Sequence, residues 1–580
     1  MTPMNKFLTA CVMSLTIGGE LAAYAATLPT LPAKNVDVTM PTITGSTFNA
    51  TCATLQSQLN AAAAASPNLT HEVILATGTI CSGIRMPAHA SGTGWILLKG
   101  ANYANLPPSG TRVGVSDAAL MPVIQYNASN FGAIAFAPNA RRYRIIGISL
   151  ITTSSPDPNE QFVDMGYANG NAGTGYIIID RCVMRELTPT SHSTHRAVYG
   201  DAEEGNTALI DSYISGVAMH NGSDSNGWLS INNPGPILIR NNFIEAASEN
   251  LNFCGAPGNS ESLMPKDITI QRNTMPKLAS WVHSCCAIKA IIEFKCGLRI
   301  LVEGNTIENN PYDGLGWAFR ITPRNDNGTC CPWGEVSDLT VRSNLIRNNV
   351  NVFQIASMED GSGNGGQTSR HSKRFNITNN LIYGTGVGCG GGASCGRVIS
   401  LQPAGGPTFC QDPSPNCMLE DLTVTHNTIA NSTDWFFGMY QPTHTRLDFR
   451  DNVIDASSQV GLYACTPACS QYGTAGLNAD WGATWAWTFN SIAAINSGVS
   501  SSQFPQGNNN VYYANSSSLL FTNAAANDYT LQAGSPAKNT ASDSKDRGVD
   551  FVALNAALAG SGGGDVTSPA IPKNVTITLP

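Results

Sequence analysis

Short alternating runs of apolar and polar residues recur along the chain, and each breaks on an asparagine. Examples are "ILIRNNFIEA", "ITIQRNTM", "ILVEGNTIEN", "LTVRSNLIRN", "FNITNNLIYG", "LTVTHNTIAN" and "LDFRDNVIDA". A period of two is that of a strand with one buried face. Aligned on the turn residue, the breaks fall at Gly147, Cys182, Ser212, Asn242, Asn273, Asn305, Asn344, Asn380, Asn427 and Asn452. The spacings are 35, 30, 30, 31, 32, 39, 36, 47 and 25 residues. Periods of about 20–50 residues signal a stacked solenoid, here with loops of variable length between constant strands.

Each period holds three short strands. One reads "IIEFK" (291–295), a turn, "LRILVE" (298–303), the turn Gly304–Asn305, then "TIEN" (306–309). Three strands per turn, wound in one direction, make an all-β parallel β-helix of about ten or more coils. Asparagine tolerates the left-handed backbone that a sharp bend requires. Stacked coils set successive asparagines above one another, so their amides are expected to bond as a ladder. The asparagines are therefore a structural device first. "CATLQSQLNAAAAA" (52–65) reads as a short amphipathic helix that caps the first coil. The expected boundaries are an N-terminal cap with first coils over 26–145, the array over 146–555, and a Gly/Pro-rich tail over 556–580.

Composition supports a turn-rich β protein. The chain has 580 residues, of which 12% are charged, about half the usual share. The net charge is −8, with no polybasic run, which makes nucleic acid and anionic membrane surfaces poor partners. Lys6, the apolar run "FLTACVMSLTIGG" and "AYA" at 23–25 have the layout of an export signal over residues 1–25. That run is too short to span a membrane, and no later stretch is long enough, so no membrane insertion is expected. Sixteen cysteines, fifteen of them beyond the signal, suit an oxidising compartment. Cys52 could pair with Cys81, Cys389 with Cys395, Cys410 with Cys417 and Cys465 with Cys469. The adjacent pairs Cys285–Cys286 and Cys330–Cys331 are expected to tie neighbouring loops. The odd count leaves a free or intermolecular thiol.

The stretches "LPPSGTRVGVSDAALMPVI", "GPILIRNNFIEAASENLNF", "IKAIIEFKCGLRILVEGNTIENN", "ITPRNDNGTCCPW" and "DYTLQAGSPAKN…DRGVDF" resemble secreted bacterial right-handed parallel β-helix proteins of the pectate-lyase-like superfamily. The resemblance runs from about residue 45 to 555. It implies a right-handed coil and a polysaccharide partner. It does not fix the activity, because that superfamily includes lyases, hydrolases, esterases, depolymerases and adhesins.

In such a fold one sheet commonly lines a groove, and strand parity selects the side chains that face it. In "KAIIEFK", Glu293 and Lys295 face out against Ile292 and Phe294. In "WAFRITPR", Arg320 and Thr322 face out, with Arg324 beyond the strand end. In "ENLNFCG", Asn250 and Asn252 face out; in "GWLSIN", Trp228, Ser230 and Asn232; in "VFQIA", Gln354. Glu293, Lys295, Arg320 and Arg324 then form one charged cluster in a protein poor in charge. A lyase acting on a uronate needs a cation on the carboxylate and a base for the adjacent proton. Lys295 is the candidate base, and Arg320 and Arg324 are candidate carboxylate clamps. The same charges read equally as a solubilising salt-bridge ladder. A hydrolase would use two carboxylates, Glu293 with Glu249 or with Asp313. "GDAEEGN" offers Asp201, Glu203 and Glu204 as oxygen ligands for Ca²⁺, or as a solvated acidic turn. His192 and His195 in "SHSTHR" could ligate a metal, and His195 with Arg196 could bind substrate at the groove's edge. Trp317, Trp333, Trp435 and Tyr440 are candidates for stacking on sugar. The reading is a secreted polysaccharide-active protein, foremost a lyase; a non-catalytic binding solenoid and a hydrolase are the alternatives.

Overall fold

In the computed structural model of the chain, residues 26–559 are described except for 90, 128–131, 153–159, 167–171, 187–192, 257, 283, 312–315, 327, 360–366, 387–394, 402–418, 433–435, 440–443, 457–461, 465–470 and 495–500. The signal-like segment and the C-terminal tail lie outside the described residues.

The alternating runs form three long parallel sheets that wind as a right-handed β-helix. The first sheet holds fourteen strands, from Thr47–Ala50 to Trp485–Thr488. The second also holds fourteen, from Ile80–Ser82 to Val511–Tyr513, and the third holds thirteen. Within these three sheets, among the described residues, every pairing is parallel except the last of the third sheet, Leu462–Ala464 with Gln471–Tyr472. Inward side chains stack as aliphatic and aromatic columns through the bore, such as Phe253 on Phe294 and Phe319 on Phe353. Helix α1 (Leu55–Ala64) closes the first coil with Leu55, Leu59 and Ala62, as its pattern predicts.

The asparagine ladder is continuous. Asn242 donates N–H and Nδ2 to Asn273 Oδ1 at 2.9 and 3.0 Å, and the arrangement repeats through Asn305, Asn344, Asn380, Asn427 and Asn452 to Asn490 and Asn510. One expectation is corrected. The left-handed backbone belongs to the residue before each ladder asparagine, including Asn241, Arg272, Gly304, Ser343, Asn379, His426 and Asp451. The ladder asparagine is kept for its amide, which joins neighbouring coils in both directions.

Two segments run back along the outside of the coils. The stretch "TLPTLPA" donates the N–H groups of Thr27, Thr30 and Ala33 to Oδ1 of Asp421, Asp338 and Asp267, each at 2.8 Å. Three residues of extended chain rise ~9.3 Å, nearly matching two coil spacings of ~4.8 Å. Every third N–H therefore meets an aspartate on every second coil. Arg299, Arg374 and Arg446 pair with those same aspartates, each from the next coil along. Further along, Val36 packs on Ile178, Ala208, Ile210 and Leu238, and Arg144 donates to the Val38 and Thr39 carbonyls. This strap covers the outside of the first sheet. The second sheet is covered at one end by residues 106–121 and at the other by the segment ending in helix α2 (Phe551–Leu558). The two covers meet at Arg272, whose carbonyl takes Arg112 and whose Nε donates to the Ala557 carbonyl. Among the described residues, no such strap crosses the third sheet.

Candidate active site

The third sheet carries the residues singled out from the sequence. Its central strands are β1 (Asn226–Ser230), β2 (Glu249–Phe253), β3 (Ala290–Phe294), β4 (Trp317–Ile321) and β5 (Asn351–Ile355). Register aligns Leu229, Asn252, Glu293, Arg320 and Gln354 as one row facing away from the bore.

Trp228 is a correction. It stands in register with Leu251 and is wholly buried in the bore, so Leu229 takes the outward position. Alternation holds across this strand, but the tryptophan rather than the leucine takes the inward place. In the later strands two consecutive side chains enter the core, Ile291 with Ile292, Ala318 with Phe319 and Val352 with Phe353. Asn250 occupies the place of Ile291 in its own strand and is corrected too. Its amide donates to the carbonyls of Ile244 and Pro276 and is buried. Ser230 is likewise buried, bonded to the Gly200 carbonyl and to Trp228 Nε1.

The charged cluster forms, but it is buried rather than lining an open groove. Glu293 is fully buried. Its Oε1 lies 3.1 Å from Arg320 and accepts from the Thr322 hydroxyl at 3.2 Å, and its Oε2 lies 3.7 Å from Lys295 Nζ. Arg320 also donates to Gln354 Oε1 at 2.8 Å. Burial pushes the Glu293 carboxyl up, but the facing charges of Arg320 and Lys295 outweigh it and hold the group below the usual carboxylate range.

Glu249 sits beside it, in register with Asn226 and through it with Arg196. It too is fully buried, with Oε2 accepting from Asn226 at 2.7 Å and Oε1 lying 3.8 Å from Lys289. Burial and the neighbouring Glu293 charge push it up to about 8. Glu249 Oε1 and Glu293 Oε2 are left without a hydrogen-bond donor, as are Asn250 Oδ1 and Asn252 Oδ1 beside them. A proton on Glu249 adds one donor to this site. His195 is next to the row's edge, with Nδ1 3.0 Å from Arg196, and burial pushes its pKa down to about 4.

Beyond the strand ends, Lys295 and Arg324 line one cavity of about 400 Å³. Trp333, Asp326, Glu359 and the Cys254–Cys296 bond share its wall. Arg324 pairs with Glu359 at 2.8 Å, and Glu359 also accepts from the Asn325 N–H. Sequence reasoning missed Glu359, which lies in a loop with no repeat register. It also missed Lys289 and Lys277. Lys289 directly precedes β3 and could have been found by extending that strand's parity. Lys277 gives its three donors to the carbonyls of Ala246, Ala247 and Ser248.

The acids proposed for Ca²⁺ are held separately. Asp201 is buried and accepts from Ile231 N and Asn232; Glu203 accepts from Gly173 N; Glu204 pairs with Arg141 at 2.7 Å. Asp313, His192, Trp435 and Tyr440 lie outside the described residues. Cys52–Cys81 forms as expected, and Cys182 is the buried free thiol among the described residues. The adjacent cysteines do not tie neighbouring loops: Cys285 bonds Cys286, and Cys330 bonds Cys331. Cys395 is disulfide-bonded, whereas Cys389, Cys410, Cys417, Cys465 and Cys469 lie outside the described residues.

No family model matches the chain, and no curated protein matches it. Among solved structures, it is similar to the Dettilon tailspike protein (gp208), at 10% identity and a TM-score of 0.31, over 75% of this chain. That match spans 64% of the tailspike's length. It is also similar to an alginate lyase from Paenibacillus sp. str. FPU-7, at 13% identity and a TM-score of 0.24, covering 67% of this chain and 94% of the other.

Proposed function

We propose that the protein is a secreted polysaccharide lyase that binds a uronate carboxylate in the cavity between Lys295 and Arg324. The observation that carries this reading is the meeting of those two cations in one cavity, beyond the strand ends of the third sheet. The disulfides support an oxidising compartment. No helix among the described residues is long and apolar enough to cross a membrane.

In β-elimination the C–H bond beside the carboxylate breaks and its electron pair becomes the new double bond. The bond to the bridging oxygen breaks, and that oxygen leaves with a proton from water. Arg324 is the clamp that draws charge toward the carboxylate. Lys295 is the base. Arg320, at 3.1 Å, already engages Glu293. The hydrolase reading fits less well. Hydrolytic carboxyl pairs stand roughly 5–9.5 Å apart with the sugar between them, whereas Glu249 and Glu293 are both fully buried.

The test is incubation of the protein with pectin, alginate, glucuronan and glycosaminoglycans, following ultraviolet absorbance of the new double bond and chain length. Absorbance should rise on one polymer and stay flat with Lys295→Ala. Binding without product on every polymer would replace the lyase by a carbohydrate-binding solenoid.

A further inference from the structure

Away from the cavity, at the entry edge of the third sheet, two loops meet across a gap. One loop leads from Tyr213–Val217 into β1 and carries His220. The other leads from Thr274–Met275 into β3 and carries Cys285 and Cys286. The coil between them crosses the same corner with only Ala247 and Ser248 between its strands. Its short link leaves room for the flanking loops to reach each other.

They are held in that reach. Asp224 and Lys289 form an ion pair between the loops at 2.5 Å. Ser225 N donates to Ser248 Oγ, and that hydroxyl donates to the Ala287 carbonyl at 2.8 Å. Lys277 grips the link itself through three carbonyls. Ala218, Ala247, Trp281 and Ile288 form the apolar packing around the pair of sulfurs.

Within this frame, one ligand atom from each of His220, Cys285 and Cys286 lies within 4.8 Å of the others. His220 Nε2 is buried and has no hydrogen-bond partner. A buried imidazole nitrogen without a partner costs free energy that a ligand would recover. We propose that His220, Cys285 and Cys286 form a binding site for a thiophilic divalent ion such as Zn²⁺.

The chemistry of the donor set favours this class of ion. Two thiolates and one imidazole are soft and borderline ligands, which suit Zn²⁺ and leave a fourth tetrahedral position for water. Two thiolates also cancel the charge of a divalent ion, so a neutral unit sits among apolar side chains. The same sulfurs are bonded to each other in the oxidised chain, so disulfide and metal forms exclude one another. A dithiol reductant supplies two electrons and two protons, becoming a disulfide itself. The ion then binds both sulfurs as thiolates and releases the two protons.

The test uses the full chain, reduced anaerobically, freed of reductant and titrated with Co²⁺, whose thiolate complexes absorb in the near ultraviolet. Wild type should take up one more ion per chain than the Cys285→Ser/Cys286→Ser double variant. His220→Ala should lose the same ion while keeping both thiols, and Zn²⁺ should raise the melting temperature of wild type alone. Because other thiols are present in every variant, the difference is the readout. Equal uptake by wild type and both variants would overturn the proposal, and so would a Cys285–Cys286 bond that survives reduction while the chain remains folded.

Discussion

The backbone N–H of Thr30 donates to Asp338 Oδ1 at 2.8 Å, across 308 residues of sequence. Asp338 is at the same time gripped by Arg374 through Nε and Nη2, at 2.6 and 2.7 Å. One carboxylate thus joins two coils and the strap. Asp338→Ala should lower stability by about 2–3 kcal/mol, read as a shift in the denaturation midpoint. Asp338→Asn should lose less, because the strap keeps its acceptor.

The ladder makes a sharper prediction. Asn344 accepts from the backbone and side chain of Asn305 and donates to Val302 and Asn380. Asn344→Ala strands several buried groups and should cost about 3 kcal/mol or more. Asn344→Ser should recover part of this, since Ser212 serves the Cys182 N–H at an equivalent place. Equal midpoints for all three proteins would show that the ladder adds nothing.

Glu293 and Lys295 separate stability from activity. Glu293→Ala leaves the buried Arg320 facing no carboxylate and should cost about 3 kcal/mol or more. Lys295 is partly exposed and lies 3.7 Å from its partner. Lys295→Ala should unfold at nearly the wild-type denaturant concentration while giving no lyase product. Product formation at the wild-type rate would remove Lys295 from the chemistry.

Glu249 sets a dependence on pH. Its folded pKa is raised to about 8, above the ~4.3 of an unfolded chain. The folded protein therefore holds a proton that the unfolded chain has lost, and stability falls as pH rises across that window. Glu293 has the opposite sign, since its contribution is lost as pH falls below the ordinary carboxylate range. Glu249→Gln, which mimics the protonated form, should become more stable than wild type as the pH passes from 5 toward 8. Melting temperatures that stay parallel over this range would show that Glu249 is ionised in the fold.

The coil was legible because its signal is local and repeated. An asparagine between two alternating runs states the turn without reference to distant residues. The row Asn252, Glu293, Arg320, Gln354 was legible for the same reason. Parity failed at Asn250, where two successive side chains turn inward and alternation no longer tells inside from outside, and at Trp228, which takes the inward place that the pattern assigns to Leu229. Glu359 was hidden because a loop has no period. The strap was hidden because its partners are hundreds of residues away, although the three-residue repeat in "TLPTLPA" was in plain view.

That strap also changes the order in which the molecule can be completed. A solenoid whose coils touch only their neighbours can grow coil by coil as it is synthesised. Here the first described residues wait for a late coil: Thr27 has no acceptor until Asp421 has been made and wound into place. The segment made among the earliest is among the last to be seated. Once seated, it splints a row of semi-independent rungs, so that no coil between Asp267 and Asp421 can open without lifting a segment that other coils hold down.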